Sequence, residues 1–175
     1  MSGGWREAQD RIVNLPDDEP AIFRRYIYLL YTGALAVVPD LVPEKYSGHD
    51  EHINLTRLYV LAEKLRDIDS KNCVIQACVV RWQQLHNGGR RYAPGETVIG
   101  LIYHGTPAGS QFRKLLVDVY TYRARSKWLR DAEMVWPSDF LSELALNLLD
   151  QRVTPMSDWI ADPLAYVEAS ENSAS

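Results

Sequence analysis

His104-Gly105-Thr106-Pro107-Ala108-Gly109-Ser110 places a histidine and a serine in glycine-rich surroundings, the residue types a hydrolase uses. A nucleophile elbow requires G-x-S-x-G between a strand and a helix, so that the hydroxyl stands exposed on a tight turn. Here Gly109 directly precedes Ser110, and both flanks carry helical patterning. Helix capping accounts for the same residues: Gly105 ends one helix and Ser110 caps the next. His49, His52, His86 and His104 form no ligand pattern. Cys73 and Cys78 lie five apart, a poor offset for sharing a helix face and no metal spacing, so both are expected as buried free thiols in a reducing compartment. No phosphate loop or paired-carboxylate site appears, and the expectation is a chain without catalysis, metal or cofactor.

Two further groupings point to binding. Arg113, Lys114, Arg123, Arg125, Lys127 and Arg130 form a basic segment interleaved with Tyr120, Tyr122 and Trp128. Its helical spacing puts Arg123, Lys127 and Arg130 on one face, suited to an acidic partner or a nucleic-acid backbone, against the plainer reading of a solvated helix face. Trp5-Arg6-Glu7 is a hydrophobic-x-acid triplet near the start of the chain. It either offers Trp5 to a partner or folds the indole onto the chain's own first helix.

Composition narrows the choice. The chain has 175 residues, 46% hydrophobic and 24% charged, with a net charge of −4. Such a content is that of a soluble globular protein with one domain, or one domain and an extension. An acidic balance argues against nucleic acid as the main partner, because phosphate binding is carried by basic surfaces. No apolar run approaches the roughly 20 residues that span a bilayer, and residues 1–15 lack a signal-type apolar core.

The elements that position these residues are read as mainly helical. Trp5 to Gln9 reads as a helical turn and Ile12 to Leu15 as a short strand. Asp17 or Asp18 is expected to cap a helix whose Phe23, Tyr26, Ile27, Leu30 and Tyr31 face inward, and Gly33 to end it. Residues 36–53, with Pro39, Pro43 and Gly48, read as a loop or a short extended piece. Asn54 is expected to cap a helix over Leu55 to Leu65, followed after Asp69 by a second helix to about Leu85, the two forming a hairpin. Asn87-Gly88-Gly89 marks a boundary. Helices over Glu96 to Tyr103, Ser110 to about Trp128 and Pro137 to Leu149 follow, and the end of the chain is small and polar.

DDEPAIFRRYIYLLYTGAL resembles the middle of a BTB/POZ domain, with an acidic turn, a Phe-containing helix and a Leu-Tyr-Thr-Gly ending. LTRLYVLAEKLRDIDSKNCVIQACV is similar to the helical hairpin that closes that fold, and TPAGSQFRKLLVDVY with Trp128 to Leu141 is similar to the helical extension of fungal BTB-containing proteins. The resemblance covers about Ser2 to Leu149. It implies a mainly α fold with an α+β remnant: a partial BTB/POZ domain over 1–86, a helical extension over 87–165 and a disordered tail over 166–175. Met1 aligns just after the first strands and helices of a complete domain, so the chain is expected to be truncated, with Met1 internal in a complete relative.

By the same resemblance the function is non-enzymatic protein–protein interaction, in the cytoplasm or nucleus. The partner is a cullin or another BTB chain, with no nucleic acid, membrane or small-molecule substrate. Trp5 and Glu7 fall near the triplet with which some members recruit the cullin scaffold of a ubiquitin ligase. They are the protein-binding candidates, and the alternatives are a substrate adaptor of such a ligase or a fragment without independent activity.

Overall fold

In the computed structural model the described residues are 19–35, 48–86, 90–91, 93–130 and 134–152. They form α1 (Pro20–Thr32), α2 (Gly48–Lys64), α3 (Ile68–Gln83), a two-residue hairpin β1 (Leu85–His86) and β2 (Arg90–Arg91), then α4 (Glu96–Gly105), α5 (Gln111–Arg123), α6 (Ser126–Leu129) and α7 (Ser138–Gln151). The chain is mainly α. The readings at Trp5–Gln9, Ile12–Leu15 and 166–175 lie outside the described residues.

Helix α1 begins with Pro20 in its first turn, where a missing N–H costs nothing. The cap position falls on Glu19, and Asp17 and Asp18, the expected caps, lie outside the described residues. Glu19 makes no side-chain cap bond and turns its carboxylate to Arg57, 2.7 Å away on α2. Gly33 ends the helix at φ 66°, its N–H donating to Leu29 O at 2.8 Å. The buried face is Ile22, Tyr26 and Leu29. Of the side chains expected inward, only Tyr26 is buried. Ile27 is half-buried, Phe23 and Leu30 are exposed, and Tyr31 is 86% exposed. The helix is apolar on two adjoining stripes, and its neighbours α2 and α3 cover the one about a hundred degrees round from Leu30.

Helix α2 starts at Gly48, inside the expected loop and six residues before Asn54, which is therefore interior. Asp50 and Glu51 in its first turn and Lys64 in its last complement the helix dipole. Arg66 stands at φ 55° just past its end, a left-handed position that glycine usually fills. Asp67 N–H donates to Ala62 O at 2.9 Å and Arg66 N–H to Glu63 O at 3.0 Å, so the end carbonyls are satisfied by a Schellman motif. Asp67 then caps α3, accepting from Ser70 N–H at 3.0 Å and Ser70 Oγ at 2.7 Å.

One apolar cluster runs through α1, α2, α3, α4, α5 and α7 and crosses residue 87. Phe112 of α5 meets Tyr59 of α2 and Trp82 of α3 edge-on, at centroid distances of 4.9 and 6.0 Å. At the far end Tyr120 meets Trp128, Trp136 and Phe140. The helix expected to reach Trp128 ends at Arg123. A separate turn, α6, then folds Trp128 back onto Tyr120.

Candidate functional site

The hydrolase residues are kept apart. His104 is exposed on the wall of one cleft, with Glu19, Arg57, Val60 and Lys64. Ser110 lines another cavity, and its hydroxyl lies 3.2 Å from the Tyr59 hydroxyl in the core. Ser110 holds the cap position of α5, yet its side chain makes no cap bond because it is turned to Tyr59. Gly105 does not terminate α4 by a left-handed turn. It is the last helical residue and packs against Val60, and Thr106 follows with its hydroxyl on Ile102 O at 2.6 Å. Among the described residues, no three His, Cys, Asp or Glu side chains stand where a metal could be held.

The basic segment divides. Arg113 is buried, not solvated. Its Nε donates to Thr106 Oγ1 at 3.1 Å, and its Nη2 donates to Tyr103 O at 2.8 Å and to Thr106 O. Nη1 lies 3.9 Å from Asp139 and 3.8 Å from Glu143, and the guanidinium stacks 4.5 Å above the Tyr103 ring. Tyr103 donates to Glu143 Oε2 at 2.5 Å, and burial, then that bond and the Glu143 charge, push the phenol well above its usual range. Planar, fixed donors suit arginine for this work, which ties α4, α5 and α7 together. Arg123 donates to Trp82 O at 3.2 Å, while Lys114, Arg125, Lys127 and Arg130 are exposed. The break at Ala124 removes the single helical face that Arg123, Lys127 and Arg130 were expected to share.

Cys78 is buried and Cys73 half-buried, both as free thiols. Burial, with the Glu51 charge behind it, pushes the Cys78 thiol up to about 12; burial raises Cys73 as well. Such thiols are poor nucleophiles at neutral pH. Among the described residues no helix is long and apolar enough to cross a membrane.

The feature that stands out is therefore a surface. On α1, Phe23, Ile27, Leu30 and Tyr31 recur at helical spacing beside the buried stripe, and Leu30 is 52% exposed. Tyr28 adds a further exposed ring. The helix is held rigidly from behind: Tyr26 donates to Asp67 Oδ2 at 2.9 Å, and Glu19 pairs with Arg57. Burial would raise the Asp67 carboxyl, but the bonds from Ser70 and Tyr26 outweigh it and hold it below the usual range. The periodicity was visible in the sequence; that it faces outward was not. Trp5 and Glu7, the expected protein-binding residues, lie outside the described residues. Comparison with family models, with curated proteins and with solved structures found no match to this chain.

Proposed function

We propose that this chain is a non-enzymatic protein–protein interaction module of the BTB/POZ type. The observation that supports it is the second apolar stripe of α1. Phe23, Ile27, Leu30 and Tyr31 stand on a helix fixed from behind by α2 and α3, with aromatic rings of the kind enriched at interface hot spots. The order of elements agrees with the resemblance: a helix closed by Gly33, then a helical hairpin packed on its inner face. A rigid helix that presents an apolar ridge binds without first being ordered, which lowers the entropic cost of association.

The test is affinity capture from eukaryotic extract, then calorimetric titration of the purified captured protein, with a purified cullin N-terminal domain run beside it. The wild type binds, and Leu30→Glu with Tyr31→Ser weakens binding at least about tenfold at unchanged stability. Equal binding by the variant removes α1 from the interface and refutes the reading.

A further inference from the structure

A second surface lies on α7, which packs on α4 and α5 rather than on the helices that hold α1. Helix α7 turns Phe140 and Leu144 into the core. Its outer side carries Leu141, Ala145, Leu148 and Leu149, with Leu146 beside them, and all are exposed. Positions 141, 145, 148 and 152 recur at four, three and four, so the ridge is continuous along the helix. Between residues 140 and 149 the only charged residue is Glu143, and it is drawn inward by Tyr103. Charges stand only at the ends: Asp139 at the start, Asp150 and Arg152 at the finish. The exposed leucines together present on the order of 400 Å² of apolar surface, within the range of the largest patch on a monomer.

We propose that α7 is self-complementary and pairs antiparallel with α7 of a second copy, across a two-fold axis at Ala145. Such pairing sets position 145+k opposite 145−k. Leu141 then lies opposite Leu149 and Ser142 opposite Leu148, so each large side chain meets an apolar or small one. Ala145, the smallest side chain of the ridge, lies where the two helices approach closest. Arg152 of one copy comes opposite Ser138 of the other, so no like charges meet within the ridge, and the two helix dipoles run antiparallel. With the flanking serines and backbone included, the pair buries about 1,000 Å², the lower edge of a specific interface. The dimer is accordingly concentration-dependent rather than obligate.

Sedimentation velocity from about 5 µM to about 500 µM reads it directly, since a small interface dissociates within that range. The weight-average mass rises from 20.0 kDa towards twice that value. Ala145→Lys or Leu149→Lys holds it at the monomer, with circular dichroism unchanged because both positions face solvent. Leu30→Glu on α1 leaves the dimer intact, which separates this result from the fate of the proposed function. In a Cys73→Ser background, mild oxidation of Ala145→Cys gives a disulfide-linked dimer, because residues on the two-fold axis approach within disulfide reach. Asp150→Cys, about 15 Å from its counterpart in this register, does not. A monomer at every concentration overturns the proposal and assigns the ridge to a different protein or to another part of this chain. Equal cross-linking at residues 145 and 150 overturns the register.

Discussion

Two glycines of α4 should respond to alanine with opposite signs. A Cβ on Gly105 would stand 2.5 and 2.7 Å from the two methyls of Val60 and 3.2 Å from its Cβ. Those distances are inside van der Waals contact, and Val60 is a poor candidate to yield. It sits within α2, where a β-branched side chain has one strongly preferred rotamer. Relief then requires α2 and α4 to separate, and overpacking of this kind costs about 1–3 kcal/mol. Alanine's helix preference returns at most about 1 kcal/mol, and less at the final helical position. Gly105→Ala is therefore expected to lose about 1–2 kcal/mol net. Gly100, five residues earlier in the same helix, has open space where a Cβ would go, so Gly100→Ala should gain about 0.5–1 kcal/mol. Urea unfolding followed by tryptophan fluorescence reads both as midpoint shifts. Adding Val60→Ala to Gly105→Ala should recover most of the loss, a coupling that a double-mutant cycle isolates. If Gly105→Ala matches or exceeds the wild type, or if Val60→Ala gives no recovery, the close-packing argument is wrong.

Three further outcomes are expected. Leu29→Ala, at a buried position, should cost about 2–5 kcal/mol, whereas Leu30→Ala next to it should cost well under half of that, both by denaturant melt. Arg113→Met should cost several kcal/mol by the same melt, about 3–5, because the carbonyls of Tyr103 and Thr106 lose their buried donor and Glu143 loses the positive charge beside it. Asp67, held below its ordinary value of 3.8, adds stability that is complete above that value and lost as pH falls through the lowered one. The melting temperature of the wild type should therefore fall more between pH 5 and pH 2, as about those limits bracket the titration, than that of Asp67→Asn. Equal falls would remove Asp67 from the acid response.

Element existence was legible wherever a local signal sat on the chain. Pro20 and Gly33 bracket α1 and Pro137 precedes α7, signals contained within a few residues, whereas α3 starts two residues earlier than expected because Asp67, not read as a cap, opens it. Face choice was not legible on α1, because Ile22, Tyr26 and Leu29 and the neighbouring Phe23, Ile27, Leu30 and Tyr31 both satisfy a helical period. Only the packing of α2 and α3 decides between them. The early start of α2 was hidden for a similar reason. Glu51 and His52 are polar, yet both are buried, with Arg81 2.5 Å from Glu51 and the Trp82 indole donating to His52 Nδ1 at 3.2 Å. Those partners lie thirty residues away. Arg113 looked like one charge in a basic run because its partners come from two other stretches, Tyr103 with Thr106 and Asp139 with Glu143. Trp5 and Glu7 rested on the resemblance and lie outside the described residues.

The Arg113 guanidinium has a consequence for the order in which the chain assembles. The last turn of α4 has no glycine-type ending, and the carbonyls of Tyr103 and Thr106 are met by a side chain that belongs to α5. Before α5 is in place, that end of α4 frays, since helix-terminal carbonyls without partners are held only by water. The turn between the two helices is only a few residues long, so closing it costs little entropy. Completion of α4 and arrival of α5 are then one kinetic event. Amide hydrogens in the final turn of α4 should exchange at the rate of those in the second turn of α5, from Lys114 onward, and Arg113→Met should release both together while the Ile99 amide, bonded to Gly95 O, keeps its protection.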